Sequence, residues 1–421
     1  MLADTFTHED AFRGILSKLL TEHFVKTRDS DVTDESVGHF FERRLGKKMV
    51  HQVLSAVVHG IYAGDVYRLS MKSLFPGLFR LEAESGSLTA GFLQGFTEGP
   101  KLPLKEVDFA EIMKKPYPFT KEFKRNFRKA SVFTFRHGLQ QLVDTLVEKL
   151  RQKQNVTFLT NSPVESVDKE GDGVKIWIKG TAEPVLHSHV ISTLSPAHLR
   201  QALDKPGVGN YGLHSIGYAP TVMTVNFYYR TPDLHPPGFG YLIPLATSLE
   251  QNPERALGVV FDTSYSASSA GDEEIIGPMQ DTVSKRGTKL TVMLGGHYWD
   301  GWDSYPTEEE GLQMAKSLLK RHLNITEEPA ASAVNLAKNC IPQYTVGYED
   351  KLKNIHAELL DRFSGRLRVA GNWIRGVGVN DCLRSAWEVA RDLRDERKTG
   401  LESAVEDKEW VTVQPVVRSR A

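Results

Sequence analysis

The stretch Leu367–Leu393, LRVAGNWIRGVGVNDCLRSAWEVARDL, decides how this chain is read, because it runs from strand through glycine turn to helix. Leu367 to Ala370 is a short apolar run, and Gly371, Gly376 and Gly378 free the backbone for tight turns. Leu383, Ala386, Trp387, Ala390 and Leu393 then recur at the spacing of one helical face. Asn380 and Asp381 are the natural N-cap residues of that helix. A glycine loop that enters a helix N-terminus presents N–H groups with no intrahelical partner at the positive end of the dipole, so it suits an anion or a polarised carbonyl. The stretch marks a cofactor end.

Composition bounds the rest. A chain of 421 residues has room for two or three domains with their own cores. Lysine plus arginine number 52 against 53 aspartate plus glutamate, which leaves no global nucleic-acid footprint. Cys340 and Cys382 are too few for a disulfide framework and read as small buried thiols of a reducing compartment. No window approaches the roughly 18 to 20 apolar residues of a spanning helix. The N-terminus lacks the basic-then-apolar signal pattern and is too acidic for a transit peptide. His187 and His189, two apart in a strand-like run, would share one face, but no acidic or cysteine partner is spaced nearby, so they read as edge histidines. The Ser-Pro steps lack the strained G-x-S-x-G turn of a nucleophilic serine. Cofactor-borne redox chemistry is what remains.

The pattern divides the chain into interleaved pieces. Residues 1–130 read as a helical domain with a connecting loop: Val37, Phe40, Phe41 and Leu45 recur at three and four, as do Val50, Val53, Leu54, Val57 and Val58. From Thr97 to Lys129 lysine, proline and phenylalanine mix without period, which reads as a long surface connection. Residues 131–205 hold a helix at Leu139–Leu150 and short strands beginning at Val156, Val164, Val174 and His189. Residues 206–365 are strand-rich and form the floor of a cavity, with strands at Thr221–Tyr229, Gly240–Ile243, Leu257–Asp262 and Leu290–Leu294 and a helix at Glu308–Leu323. Between Ser264 and Gly287 serine, glycine and acidic residues accumulate, as in a mobile surface loop. Residues 366–400 are the strand-turn-helix quoted above, and 401–421 a charged tail that frays at its end.

That strand-turn-helix resembles the C-terminal flavin motif of the protoporphyrinogen oxidases, flavoenzymes of haem synthesis. Other segments resemble the same family in order: Asp34-Glu-Ser-Val-Gly-His-Phe-Phe, Arg43-Arg-Leu-Gly, His59-Gly-Ile-Tyr-Ala-Gly-Asp65, Leu69-Ser, Ser73-Leu-Phe-Pro76, Phe135-Arg-His-Gly-Leu139, Gly238-Phe-Gly-Tyr-Leu-Ile-Pro244, Val292-Met-Leu-Gly-Gly296 and Asn339-Cys-Ile-Pro-Gln-Tyr-Thr-Val-Gly347. The likeness runs from about Asp34 to Leu393, and several ordered motifs are far more specific than one glycine loop.

The resemblance implies a mixed α/β (α+β) fold: a Rossmann-like FAD domain interleaved with a mixed-sheet substrate domain and a helical, membrane-associated domain. It implies oxygen-dependent, six-electron oxidation of protoporphyrinogen IX to protoporphyrin IX with FAD, releasing hydrogen peroxide. By position within their motifs, Phe239, Leu242 and Met293 match apolar residues that sandwich the tetrapyrrole over the flavin; their bland reading is strand core. On the cofactor side stand Val164, Gly376, Val377, Gly378, Val379 and Asn380, with the N–H groups of Val379 and Asn380 meeting a ring carbonyl or the pyrophosphate. Val164 would lie near the adenine, and Thr193-Leu-Ser-Pro near the cofactor; plain sheet packing is the alternative for Val164. The propionates favour an arginine, a role the family gives to a residue upstream of this sequence. Arg136 and Arg375 sit beside flavin-type motifs, with surface exposure their default reading. Partners implied are protoporphyrinogen, dioxygen and the mitochondrial inner-membrane surface, where the protein is peripheral, together with a homodimer, a ferrochelatase contact and no nucleic acid. Phe92, Leu93, Phe96 and Leu102 would supply the membrane-touching rim, or a core or interface.

One departure matters. The family's fold opens with strand, G-x-G-x-x-G and helix to hold the pyrophosphate. Here Gly91, Gly95 and Gly99 are spaced by four with no valine-rich strand before them. The sequence reads as starting about 100 residues into its family, without half the expected cofactor site. Two alternatives therefore stand beside the enzyme: a cofactor-free porphyrin-binding or partner-binding remnant, and an amine-oxidase-like flavoenzyme with another apolar substrate.

Overall fold

The computed structural model describes residues 15–113, 119–129, 135, 137–203, 212–266, 287–395 and 397–413. The first layer is helical. Helix α1 (Val37–Leu45) buries Val37, Phe40 and Phe41, the face its three-and-four spacing predicts. Helix α2 (Ser55–Tyr62) continues a π-helical turn at Val50–Leu54. Helices α3 (Pro76–Ser85) and α4 (Leu88–Glu98) complete the layer around Val58, Val66, Leu69, Met71 and Phe79. Its polar centre is Arg44, with no exposed side chain, which donates to Glu22 at 2.8 Å and to Glu82, while Arg28 and Arg43 each donate to Glu82 at 2.6 Å. Glu35, accepting from Arg43 at 2.5 Å, is the third carboxylate, so three guanidiniums meet three carboxylates.

The expected surface connection from Thr97 to Lys129 is built into the fold instead. Strand β1 (Lys101–Pro103) pairs antiparallel with the strand Trp410–Thr412, helix α5 (Leu104–Met113) follows, and a further helix spans Lys121–Lys129. No apolar period announces α5, because ion pairs hold it: Glu106 accepts from Arg375 at 2.7 Å and from Arg384.

Helix α6 (Gln140–Arg151) falls where its periodicity predicts, yet none of its residues is buried. Leu139, Val143, Leu146 and Leu150 form an exposed apolar stripe. Strands β2 (Val164–Glu170), β3 (Gly173–Ile178) and β4 (Val185–His187) make an antiparallel meander, whereas Val156–Leu159, expected as a strand, joins no ladder. His187 closes β4 and His189 lies beyond it, before strand β5 (Val190–Ser192) of a different sheet, so the two do not share a face. His189 Nε2 instead meets Arg366 at 3.1 Å.

A five-stranded sheet contains β6 (Val222–Tyr229), β7 (Gly240–Leu242), β8 (Ala256–Val260), β9 (Thr288–Gly295) and β10 (Ala331–Ala337) in the order β10-β6-β9-β8-β7. Every pair is antiparallel, not mixed as expected, and the connection from β9 to β10 runs through a helix and crosses β6, which lies between them. Val225, Val292 and Val259 lie in register on one face, sealed by helix α7 (Glu308–Leu323). Helix α2 packs on part of the other face, over β7 and β8.

Helix α8 (Tyr348–Phe363) buries Leu352, Ile355, Leu359 and Phe363 against Leu199, Leu203, Leu367 and Val369. Strand β11 (Leu367–Val369) then pairs in parallel with β5 and leads through the glycine loop to helix α9 (Val379–Arg391). Two expectations change here. Gly378 is the cap, and Asp381 works from the third helical position, its carboxylate accepting from Gly378 N–H at 3.2 Å. The helix buries Ser385 and Val389, while Leu383 and Leu393 on the apolar face stay exposed. Ion pairs orient it, Arg384 and Arg375 both reaching Glu388 and Glu106. Beyond Arg394, Thr399 and Leu401 are fully buried and β12 (Trp410–Thr412) pairs with β1, while the end of the tail, where fraying is expected, lies outside the described residues. Most of the stretch from Ser264 to Gly287 and the last residues, 414–421, lie outside the described residues.

Candidate active site at the flavin loop and the open sheet face

The glycine loop is pinned from three sides. Tyr344 donates its hydroxyl to Asn372 O at 2.6 Å, Tyr348 to Trp373 O at 2.7 Å, and Trp373 Nε1 to Leu194 O at 3.1 Å. Burial pushes both phenols far above their ordinary range, so each remains a donor throughout the physiological range. Arg368, fully buried under the loop, donates to the carbonyls of Gly365, Asp392, Leu393 and Asp395 and thereby ties the ends of β11 and α9 together. A Cβ at Gly376 would overlap the Asp381 carboxylate, so only glycine lets the loop close on its cap.

The first bond of α9 runs from Cys382 N to Gly378 O at 3.1 Å, which leaves the N–H groups of residues 379–381 ahead of the helix ladder. Gly378, Val379 and Asn380 are exposed there, Val377 is half-buried and Gly376 buried. Exposed first-turn donors at a positive dipole end fit the carbonyl or phosphate groups of a flavin. Val164 opens β2 opposite Ile178 beside a bulge, 41% exposed, in the meander rather than the parallel pair that carries the loop. Arg375 is spent on Glu106 and Glu388, contrary to its surface reading, and Arg136 lies outside the described residues.

Leu242, Gly258 and Met293 lie in register across β7, β8 and β9, so the two side chains share one face of the sheet with a glycine between them. Leu242 packs on α2: a Cβ at Gly60 would sit 2.8 Å from its Cδ1, and one at Gly258 2.9 Å from its Cδ2. It remains 37% exposed. Met293 is half-buried beside Ala63, Val222, Leu257 and Tyr298. Phe239 stands three residues before Leu242, 58% exposed, between Gly238 and Gly240 at φ +144° and +136°.

What joins the loop to the sheet is the end of α2, to which sequence reasoning assigned no role. Ala63 packs with Met293, while Tyr62 lies near Asp381; burial first, then that carboxylate, raises its phenol. Gln343 Nε2 donates to Tyr62 O at 2.8 Å, and its buried Oε1 has no partner. The only signal available was the His59–Asp65 motif itself. Apart from this site, α4 exposes Phe92, Leu93 and Phe96 beside an apolar cavity of about 580 Å³ between α3 and α4. Among the described residues no helix is long and apolar enough to cross a membrane, and no cluster of three or more metal-ligating side chains occurs.

Residues 4–394 match the flavin containing amine oxidoreductase family, so the chain belongs to that family and is an FAD-dependent oxidoreductase of mixed α/β fold. Within it, the relatives are protoporphyrinogen oxidases. The chain is 30% identical over 392 residues to that of Schizosaccharomyces pombe, covering 91% of this chain and 73% of the relative. It is 30% identical over 363 residues to that of Homo sapiens, covering 85% and 68%. A solved Exiguobacterium sp. 255-15 protein, provisionally named a protoporphyrinogen oxidase, superimposes with a TM-score of 0.66 at 19% identity, covering 92% of this chain and 73% of that one. Reduced UDP-galactopyranose mutase follows at 0.58 and 12% identity, covering 94% and 75%; both likenesses concern the fold alone.

Proposed function

We propose that this chain carries the tetrapyrrole site of an oxygen-dependent protoporphyrinogen oxidase. The observation that carries the reading is the register of Leu242, Gly258 and Met293 on the sheet face that meets α2, beside the turn where α2 approaches the glycine loop. The substrate is a broad, apolar macrocycle with two propionates, and its binding asks for flat greasy walls and little proton-transfer machinery. Leu242 and Met293 supply such a wall, Gly258 lets Leu242 lean across β8 between them, and Phe239 stands at the rim. The first turn of α9 would hold the flavin through the N–H groups of Val379 and Asn380, and Gly376–Gly378 shape its approach. The bound flavin supplies hydride acceptance and electron transfer to dioxygen. In balance, protoporphyrinogen loses six hydrogens to three dioxygen molecules, giving protoporphyrin and three hydrogen peroxide molecules.

The reading extends to peripheral attachment at the mitochondrial inner membrane, supported by the exposed Phe92, Leu93 and Phe96 of α4. A homodimer and a ferrochelatase contact belong to it on resemblance alone. A second reading, a cofactor-free porphyrin-binding or partner-binding protein, is favoured by the bare apolar stripe of α6. The visible flavin band of the purified protein separates the two. Yellow protein that turns protoporphyrinogen into fluorescent protoporphyrin while consuming dioxygen supports the enzyme. Colourless protein sinks it, and yellow protein inert toward the tetrapyrrole points to an amine-oxidase-like substrate.

A further inference from the structure

Two imidazoles sit directly behind the proposed slot. His59, 2% exposed on α2, brings Nδ1 to within 2.6 Å of Ile243 O and Nε2 to within 2.9 Å of His297 Nε2. Their rings stack at 4.9 Å, with Tyr298 edge-on to His59 at 5.5 Å. A carbonyl can only accept, so His59 Nδ1 carries the proton and, in the neutral ring, its Nε2 is bare. His297 Nε2 must then carry a proton and donate. One tautomer pair satisfies both contacts.

The residues these bonds hold are those next to the slot. Ile243 follows Leu242 directly, and His297 lies four residues beyond Met293. On the same helix, Ser55 Oγ accepts from Leu245 N at 3.0 Å and His51 O from Ala246 N at 3.0 Å, while Ala63 O accepts from His297 N at 2.8 Å. The helix is thus stitched to the ends of β7 and β9, the two strands that carry the slot's side chains, and the imidazole pair is the only one of these links that touches both ends. Asp65, Asp300 and Arg68 are the charged groups whose fields reach it.

We propose that His59 and His297 are positioning residues for tetrapyrrole binding, a neutral clasp that fixes the spacing of Leu242 and Met293 against α2. The proposal takes its substrate from the function proposed above, whereas its geometry stands independently.

The test is a titration of protoporphyrin IX fluorescence against flavin-loaded protein, run with thermal unfolding. His297→Phe keeps a ring but loses the donor, and is expected to weaken binding about tenfold or more. His297→Gln, whose amide nitrogen reaches the Nε2 position, is expected to recover most of that loss. Equal binding by wild type, H297F and H297Q overturns the clasp, as does a loss that Gln does not rescue while both variants unfold at the same temperature. A wild type that binds no porphyrin fails the functional reading instead. In that case 15N-histidine NMR of the wild type decides the clasp: a coupling across Nε2–H···Nε2 with His59 protonated at Nδ1 supports it, and two uncoupled imidazoles dispose of it.

Discussion

Leu242 and Met293 share one sheet face two strands apart, and the residue in register between them, Gly258, has no side chain. Leu242 leans over that glycine, its Cδ2 2.9 Å from where a Cβ would stand. Because Leu242 is more than a third exposed, its chemistry can be changed with little structural penalty. Leu242→Asn is expected to raise KM for the tetrapyrrole about tenfold, with kcat nearly unchanged and a melting temperature within a few degrees of wild type. Steady-state kinetics beside calorimetry checks both halves.

On the cofactor side, Gly376→Ala would force a methyl group into the Asp381 carboxylate. The loop has to open, so flavin content after purification should fall to a small fraction of wild type. Asp381→Ala removes only the acceptor for Gly378 N–H and should cost roughly 1 kcal/mol of stability, the usual size of a lost helix cap. Combining the two substitutions should restore part of the flavin content that the alanine at 376 takes away, as read from the visible absorbance ratio.

The charged centre of the helical layer sets an acid limit. Burial opposes ionisation of Glu82, but the hydrogen bonds and charges of Arg43 and Arg44 outweigh it and hold the carboxyl at about 2. Glu22, against its own burial, is brought to about 2 by Ser87 and the N–H groups of Thr89 and Leu88. Carboxylates with depressed values stabilise the fold fully above the ordinary value of 4.5, and that contribution is lost as pH falls towards 2. Glu82→Gln leaves Arg44 buried with less to answer its charge and should cost about 3–5 kcal/mol at neutral pH, measured by denaturant unfolding.

A second window lies higher. Burial, outweighing the Ile243 carbonyl, lowers His59 from 6.5 to about 4. The unfolded chain therefore takes up a proton that the folded chain refuses, and stability falls as pH drops from 6.5 towards 4, by about 3 kcal/mol at most. His59→Gln should flatten that segment of the stability profile and leave the one below it in place. Chemical unfolding at closely spaced pH values separates the two.

The sequence was most legible where local chemistry decides. The helix at Glu308–Leu323 begins and ends where expected, because Thr307 and Glu310 cap each other at its start. The strands around Val225 and Val292 alternate visibly between sealed and open faces. What stayed hidden depends on distant partners. The helix Leu104–Met113 has no apolar period of its own, since Arg375 and Arg384 hold it through Glu106. The face of Leu383 is apolar but exposed, because periodicity tells which side of a helix is greasy and not which side the fold uses. Of the candidate site, the glycine loop and the apolar strand positions could be named from the sequence. The hinge between them at Tyr62 and Ala63 could not, for it exists only once three remote segments have met.

Glu106 finds its guanidinium partners 269 and 278 residues further along, and Lys101 finds its ladder partner at Thr412. During synthesis the ribosome must therefore deliver the chain past Thr412 before the segment around Lys101 and Glu106 can settle. Contacts so remote along the chain form slowly and leave their partners bare meanwhile. Nascent molecules should accordingly depend on chaperone protection until the strand at Trp410–Thr412 emerges.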